Sequence, residues 1–317
     1  MFDTILWISV ILLSLVMISL ITAFICYMRV FYSPKRKPVG PDEFPLPPGE
    51  IYEPHYPDMI AWMKEIRAMP HENIKIKSHY GLTLSGNYYE YAPDAPIELL
   101  FHGYQGNGER DLSAGVERCF AIGRSAIIID QRSHGTSEGS TTTFGVKERF
   151  DCISWINYVC ERFGKDTKII LTGVSMGAAT VMMAAGEELP SNVVCVLADC
   201  GYSSARAIIK KVIAEMGLPA NLLYPFVKLG AFVFGHFNLE ETSPIEAVKR
   251  AKIPIIFIHG DTDAFVPYSM SEELYEACAS KYKKLVNSPG AGHGLAYPLN
   301  KDLYINALRD FEKEAGF

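Results

Sequence analysis

The sequence predicts an α/β fold, a mostly parallel sheet with helices on both faces, preceded by one helix long enough to span a membrane. Short apolar runs alternate with helical patterns from about residue 73 onward, the signature of a parallel sheet covered on both sides. One of those runs ends in a glycine-flanked serine turn that opens directly into a small-residue helix. Ahead of all this lies an uncharged apolar stretch of about 23 residues from Ile5 to Tyr27.

At 1.5 Å per residue that stretch reaches across a hydrocarbon layer of about 30 Å. A cleaved signal peptide would show a basic start, a shorter apolar core and a small-residue exit. The chain instead begins Met1-Phe2-Asp3-Thr4, and Ser9, Ser14, Ser19 and Thr22 are too few to give a buried helix a wet face. Residues 1–32 therefore read as a single-pass anchor. Arg29, Lys35, Arg36 and Lys37 all follow the span, so the positive-inside rule expects the remainder of the chain on the cytoplasmic side.

Residues 33–70 form a spacer. Prolines at 34, 38, 41, 45, 47, 48, 54 and 57 exclude a helix or a central strand and favour extended backbone, either free or lying as an arm on the domain. Asp58 to Met69 reads as a short amphipathic helix that packs on the domain or on the membrane.

Residues 71–317 carry the α/β alternation, of a size that suits one large domain. Ile74–Ser78 and Leu82–Tyr89 make a hairpin around His79-Tyr80-Gly81 and add an antiparallel edge. Strands follow at Ile97–Phe101, Ala126–Ile129, Lys168–Leu171, Val193–Ala198, Pro254–Ile258 and Lys284–Asn287. Helical patterns at Leu112–Ile122, Val146–Phe163, Met176–Leu189, Ser271–Ala279 and Lys301–Glu314 separate and close them. Between Asp199 and Pro254 about 50 residues intervene, far more than a plain crossover needs. Leu222, Leu223, Phe226, Leu229, Phe232 and Phe234 crowd this insert, which is expected to fold over about residues 203–245 as a helical lid above the sheet's C-terminal edge.

Composition narrows the partners. A formal charge of −6 gives no basic surface for nucleic acid. Seven cysteines without paired spacing make neither a disulfide framework nor a zinc site, and suit a reducing compartment. No metal or cofactor is expected.

The chemistry centres on Gly173-Val174-Ser175-Met176-Gly177. The turn from strand to helix forces Ser175 into a strained conformation and lifts its hydroxyl above the sheet, and any side chain at either glycine would collide across it. A serine hydroxyl is a weak nucleophile and needs a base, which needs an orienting acid. Of eight histidines, His293 lies in a glycine-rich loop after the last strand, where an imidazole can reach over the sheet edge; His259 ends a strand and reads as structural. The acid belongs on a loop at the same edge between the two. Asp263 stands far enough past its strand to turn back towards His293, Asp261 caps its own turn, and Asp199 is the fallback. The oxyanion of an acyl-transfer intermediate needs preorganised donors, expected from the N–H of Met176 and that of Tyr104 in the loop His102–Gly108.

These stretches together resemble the α/β-hydrolase superfamily, closest to its membrane-anchored and serine-aminopeptidase-like branches, over about residues 73–317. The matching motifs are His102-Gly103-Tyr104, Asp130 to Ser137, Gly173 to Gly177, the Asp263 loop and Gly292-His293-Gly294, in the family's order. The resemblance implies an α/β-hydrolase fold with Ser175 as nucleophile, Asp263 as acid and His293 as base. It also implies that Asp130 and Arg132 brace a turn rather than react. The oxyanion loop lacks the extra glycines of lipases, which leaves Tyr104 to line the acyl pocket.

The expected activity is hydrolysis of carboxylic esters or thioesters of hydrophobic acyl substrates, small molecule or lipid, through an acyl-enzyme. Two other readings stand beside it: a serine peptidase acting on short peptides, and a non-catalytic binding module on the same fold. An epoxide or haloalkane hydrolase would carry Asp at the position of Ser175.

Overall fold

The computed structural model describes residues 2–35 and 39–317; Met1, and Arg36, Lys37 and Pro38 of the basic flank and proline run, lie outside the described residues. Helix α1 spans Phe2–Val30 and α2 Tyr56–Ala68. Strands β1 (Glu72–Lys77), β2 (Thr83–Tyr89) and β3 (Ile97–Phe101) are followed by α3 (Gly108–Ala121), β4 (Ser125–Asp130) and α4 (Glu148–Phe163). Then come β5 (Ile169–Val174), α5 (Met176–Ala185), β6 (Val193–Asp199), α6 (Ala205–Glu215), α7 (Ala220–Val233) and α8 (Pro244–Val248). The chain closes through β7 (Ile255–Gly260), α9 (Tyr268–Ala277), β8 (Lys283–Ser288), α10 (Ala296–Leu299) and α11 (Lys301–Ala315).

The strands form one eight-stranded sheet in the order β1-β2-β4-β3-β5-β6-β7-β8. The β1–β2 hairpin is antiparallel and joins β4 antiparallel, while β4 through β8 run parallel. Alternate residues of the parallel strands enter opposite layers. Leu99, Ile127, Leu171 and Phe257 pack with Trp155 and Ile156 of α4 and Val181 of α5. Their neighbours Leu100 and Ile128 meet Leu112 and Val116 of α3, and Ile170 and Ile256 meet Leu308 and Phe311 of α11. Burial on both faces is what makes these strands read as continuous apolar runs. The registers Phe101↔Gly173, Val174↔Asp199 and Gly260↔Ser288 align the carboxyl ends of β3, β5, β6, β7 and β8, so the loops leaving them converge on one rim.

Element ends differ from expectation where tertiary contacts decide them. Helix α5 stops at Ala185 rather than Leu189: Gly186 N–H bonds back only three residues, to Met183 O at 3.2 Å, and Gly186 abuts α8, where a Cβ would stand 2.8 Å from that of Ala247. Helix α3 begins at Gly108, four residues before the first apolar position, because the Asn107 side chain accepts the Arg110 N–H and caps it.

The first 70 residues are not a detached leash. Helix α1 is long and apolar enough to cross a membrane, yet its last turns enter the domain, with Ala23, Tyr27 and Phe31 buried. Tyr27 Oη pairs with Thr141 Oγ1 at 2.8 Å, Thr142 N–H donates to Phe31 O at 2.8 Å, and Ser33 Oγ donates to Ser133 O at 2.8 Å. Residues 39–55 of the proline-rich segment lie as an arm on the domain, pinned where Arg67 donates to Glu43 O and pairs with Glu109. Helix α2 packs on the domain through Trp62, Met63 and Ile66.

The insert corrects the lid expectation. Helices α6 and α7 pack on Met176, Ala179 and Met183 of α5, on Phe144 and Tyr202, and on the end of α1. No residue between 203 and 245 lines the cavity at the serine; the arm does so instead, through Pro47, Pro48, Ile51 and Tyr52. One apolar face of the insert, with Tyr224, Val227, Ala231 and Phe234, is used against the domain and α1, a partner whose position the spacing of the insert could not reveal.

Candidate active site

The strand-to-helix turn holds Ser175 at φ 56°, ψ −113°, in the left-handed half of backbone space that a side chain rarely adopts. The turn closes tightly enough that a Cβ on Gly173 would stand 2.0 Å from Gly177 C, and one on Gly177 2.0 Å from Phe101 O. Ser175 N–H donates to Asp199 O at 2.8 Å, fixing the turn to the end of β6.

His293 reaches over the rim from the loop after β8. Its Nε2 lies 2.9 Å from Ser175 Oγ and its Nδ1 2.7 Å from Asp263 Oδ2. The three side chains read as candidates from the sequence are therefore in contact, in the order alcohol, imidazole, carboxylate. With Nδ1 facing a carboxylate, the proton sits there and Nε2 is left to accept from the serine hydroxyl.

The Asp263 carboxylate is held from several sides. Its Oδ1 accepts the N–H groups of Phe265 and Val266 at 2.9 and 2.8 Å, and its Oδ2 meets a second imidazole, His259 Nε2, at 3.2 Å. Burial alone would raise its pKa, but the hydrogen bonds from His259, His293 and Val266 bring it well below the usual carboxylate range. His259 is itself fixed by Ser271 Oγ at 2.6 Å and Val266 O at 2.9 Å.

The other two acid candidates do different work. Asp261 does not cap its own turn: Oδ1 accepts the Gly290 N–H at 2.7 Å and Oδ2 the Asn287 amide at 3.3 Å, tying the loop of His293 to the loop of Asp263. Asp199 accepts from Tyr304 Oη at 2.9 Å rather than from the imidazole, and burial raises its pKa.

Met176 occupies the first position of α5, where a backbone N–H has no partner within its own helix. Tyr104 lies across the cavity in a loop held rigid from behind. Asp111 Oδ2 accepts the Gly103 N–H at 3.1 Å, and Gly103 O accepts from Gly106 N–H at 3.2 Å. Tyr104 lines the cavity, and its phenol donates to Val30 O at 2.9 Å, joining this loop to the last residue of α1. Asp130 and Arg132 brace as expected. Asp130 accepts the N–H groups of Gly108 and Thr136 at 2.9 and 2.8 Å, and Arg132 grips Asp151 through two bonds at 2.6 and 2.7 Å.

Ser175 and His293 open onto a cavity of about 670 Å³ whose apolar wall includes Ile51, Trp62, Leu112, Val174 and Phe265. That is the size range of small-ligand sites. The sequence reading missed the contribution of the arm. Proline content signals extended backbone, but nothing in its composition says which surface the extended chain lies on. Cys200 stands within 4.8 Å of the donor atoms of Asp263 and His293. Burial pushes its thiol pKa well above the ordinary value, and the other two groups are engaged with each other, so the trio is not a ready set of metal ligands.

Comparison with known proteins follows the same geometry. Residues 99–222 match the family described as the alpha/beta hydrolase fold, and residues 171–295 match the family described as serine hydrolase (FSH1). The uncharacterized protein YqkD of Bacillus subtilis is 28% identical over 239 residues, which cover 74% of this chain and 77% of that one. An uncharacterized membrane protein of Saccharomyces cerevisiae, YNL320W, is 28% identical over 199 residues, 62% of this chain and 63% of its own length. Among solved structures, the Pyrococcus furiosus esterase Pf2001 superposes with a TM-score of 0.63 at 22% identity, covering 79% of this chain and 94% of that one. At that identity the likeness is one of fold.

Proposed function

From the premise that this chain is a hydrolase of the α/β-hydrolase superfamily, we propose that it is a membrane-anchored serine hydrolase cleaving esters or thioesters of hydrophobic acyl groups through an acyl-enzyme on Ser175. The observation that carries the reading is His293, within hydrogen-bonding reach of both Ser175 Oγ and Asp263 Oδ2 at the mouth of an apolar-walled cavity.

In this mechanism Ser175 Oγ attacks the acyl carbonyl while His293 Nε2 takes its proton, and the carbonyl π electrons move onto oxygen. The N–H groups of Met176 and Tyr104 stabilise that oxyanion; each such donor is worth about 3–4 kcal/mol in the transition state. Asp263 holds the imidazole in its Nδ1–H form and offsets the positive charge it gains. Collapse of the intermediate breaks the bond to the alcohol or thiol, which leaves with the proton from His293. Water then repeats the sequence on the acyl-enzyme, releasing the acid and restoring Ser175.

On this reading α1 is the anchor, and the basic residues at and after its end, Arg29 and Lys35 among them, favour the cytoplasmic side for the catalytic part. A surface cysteine in the catalytic part should resist an impermeant thiol reagent on intact cells; its labelling there would reverse the orientation.

Nitrophenyl esters of rising acyl length, compared with aminoacyl anilides and with Ser175→Ala as the blank, test the substrate class. Preference for medium or long acyl esters is expected. Preference for the anilides would overturn the esterase reading in favour of a peptidase, and activity equal to the blank on every substrate would favour a binding module.

A further inference from the structure

Helix α7 presents two faces that its position accounts for unequally. Tyr224, Val227, Gly230 and Ala231 are buried against the domain and α1. The contact with α1 is close: a Cβ on Gly230 would stand 2.4 Å from Ala23 O, and Phe234, just past the helix, stacks edge-on to Phe24 with ring centres 5.1 Å apart.

The opposite face is apolar as well. Leu222, Phe226, Leu229, Phe232 and Val233 fall at i, i+4, i+7, i+10 and i+11, one stripe along the helix. Leu222 is 64% exposed and Phe232 67% exposed, Phe226, Leu229 and Val233 are half-buried, and the turn before the helix adds Met216 at 68% and Leu218 at 45%. Lys228, the helix's one charged residue, turns its ammonium to Glu240 of the domain, so the stripe carries no charge. A water-facing stripe of this kind on an ordinary surface helix would cost free energy with nothing in return.

Continuity with α1 identifies what covers it. The 29 residues of α1 measure about 43 Å at 1.5 Å per residue, against about 30 Å of hydrocarbon, so roughly a third of the helix stands in the interface. Helix α7 meets α1 at Ala23 to Tyr27, within its last eight residues and just before Arg29. That is the depth of the boundary between headgroups and acyl chains on the side where the domain lies.

We propose that α7 is a second membrane-contacting element, lying beside α1 with Leu222, Phe226, Leu229 and Phe232 in the lipid interface of the leaflet from which α1 emerges. The proposal rests on the anchor reading of α1. It gives the bilayer two contacts with one rigid body, which fixes how the domain is turned towards the surface rather than only how far it can stray. Tyr104 beside the catalytic serine is hydrogen-bonded to Val30, so the same contacts hold the active-site rim at a set distance from the lipid.

The test uses the full chain reconstituted in phosphatidylcholine vesicles containing phosphatidylglycerol, with Cys26→Ala and Cys160→Ser replacing the partly accessible thiols. An environment-sensitive fluorophore is placed singly by Leu222→Cys, Phe232→Cys, Leu12→Cys in the anchor, or Lys165→Cys on the far loop before β5. Bromine carried on the upper part of the lipid acyl chains is the quencher. Labels at 222 and 232 are expected to shift to the blue and be quenched severalfold more than the label at 165. Labels at 222 and 232 that behave like 165, while 12 responds to lipid, would overturn the proposal and leave the anchor intact. Labels shielded from aqueous iodide but silent to bromolipid would assign the stripe to a protein partner and overturn it equally. A silent label at 12 would overturn the anchor reading and the proposal together.

Discussion

The imidazole of His259 donates from Nε2 to Asp263 Oδ2 across 3.2 Å, and that same oxygen receives His293 Nδ1. Two histidines therefore converge on one carboxylate oxygen, one facing the serine and one anchored in the core by Ser271. Asp263 is held ionised, in place and at one angle, as an orienting acid must be.

Asp263→Asn should lower kcat by about four orders of magnitude, because an amide presents the wrong partner to His293 Nδ1 and favours the wrong tautomer. Asp199→Asn should leave kcat within about tenfold, since Asp199 faces Tyr304 rather than the imidazole. Steady-state rates on one nitrophenyl ester separate the two; the reverse ranking would reassign the acid.

The arm sets the reach of the cavity. Ile51 borders it, with Cδ1 3.3 Å from where a Cβ on Gly292 would stand, beside His293. Ile51→Trp should shorten the longest acyl chain accepted and leave short acyl esters within about threefold of wild type, as expected of lost room rather than lost chemistry. An unchanged chain-length profile would remove the arm from the substrate site.

Behind the rim, Glu98 of β3 is fully buried between Arg118 and Arg124 and accepts from Thr172 Oγ1 at 2.5 Å. Burial would raise its pKa, but the two guanidinium groups bring it down to about 2. Against an unfolded value of about 4.3, the folded state favours the ionised form. Its contribution to stability is therefore full above the unfolded pKa and is lost as pH falls towards 2. Glu98→Gln should cost about 3–5 kcal/mol near neutral pH by leaving buried Arg118 without its carboxylate and Arg124 with Glu312 alone. The gap to wild type should close between about pH 4 and pH 2 in denaturant titrations of the detergent-solubilised protein. A gap of constant size would contradict the ion cluster.

Gly230 allows α7 and α1 to touch. Gly230→Leu should separate them and destabilise the insert by about 1–3 kcal/mol, the range for overpacking. Limited proteolysis should then cut within residues 205–245 sooner than in wild type, while the sheet core stays protected. Equal cleavage rates would mean that the two helices do not pack.

What the sequence discloses and what it hides divide along physical lines. The parallel strands are legible because burial on both faces leaves no polar alternation, and Leu99–Leu100 or Ile127–Ile128 admit no other reading. The serine turn is legible because two glycines are the only residues its closure tolerates. His293 and Asp263 follow from chain order along one sheet edge. Contacts between segments distant in sequence leave no such trace. Nothing local says that Asp261 will hold Gly290, that Pro47 to Tyr52 will border the cavity, or that the apolar insert will lie against α1 instead of above the serine. Each depends on two surfaces meeting, and composition describes only one of them.

Reaction with a fluorophosphonate, followed by intact-protein and peptide mass spectrometry, interrogates the activated alcohol itself. Wild-type protein should gain one adduct located on Ser175, with the rate cut by orders of magnitude in His293→Ala and the adduct absent in Ser175→Ala. A folded wild type that takes up no adduct, or takes it up undiminished after loss of His293, would contradict a serine activated by that imidazole.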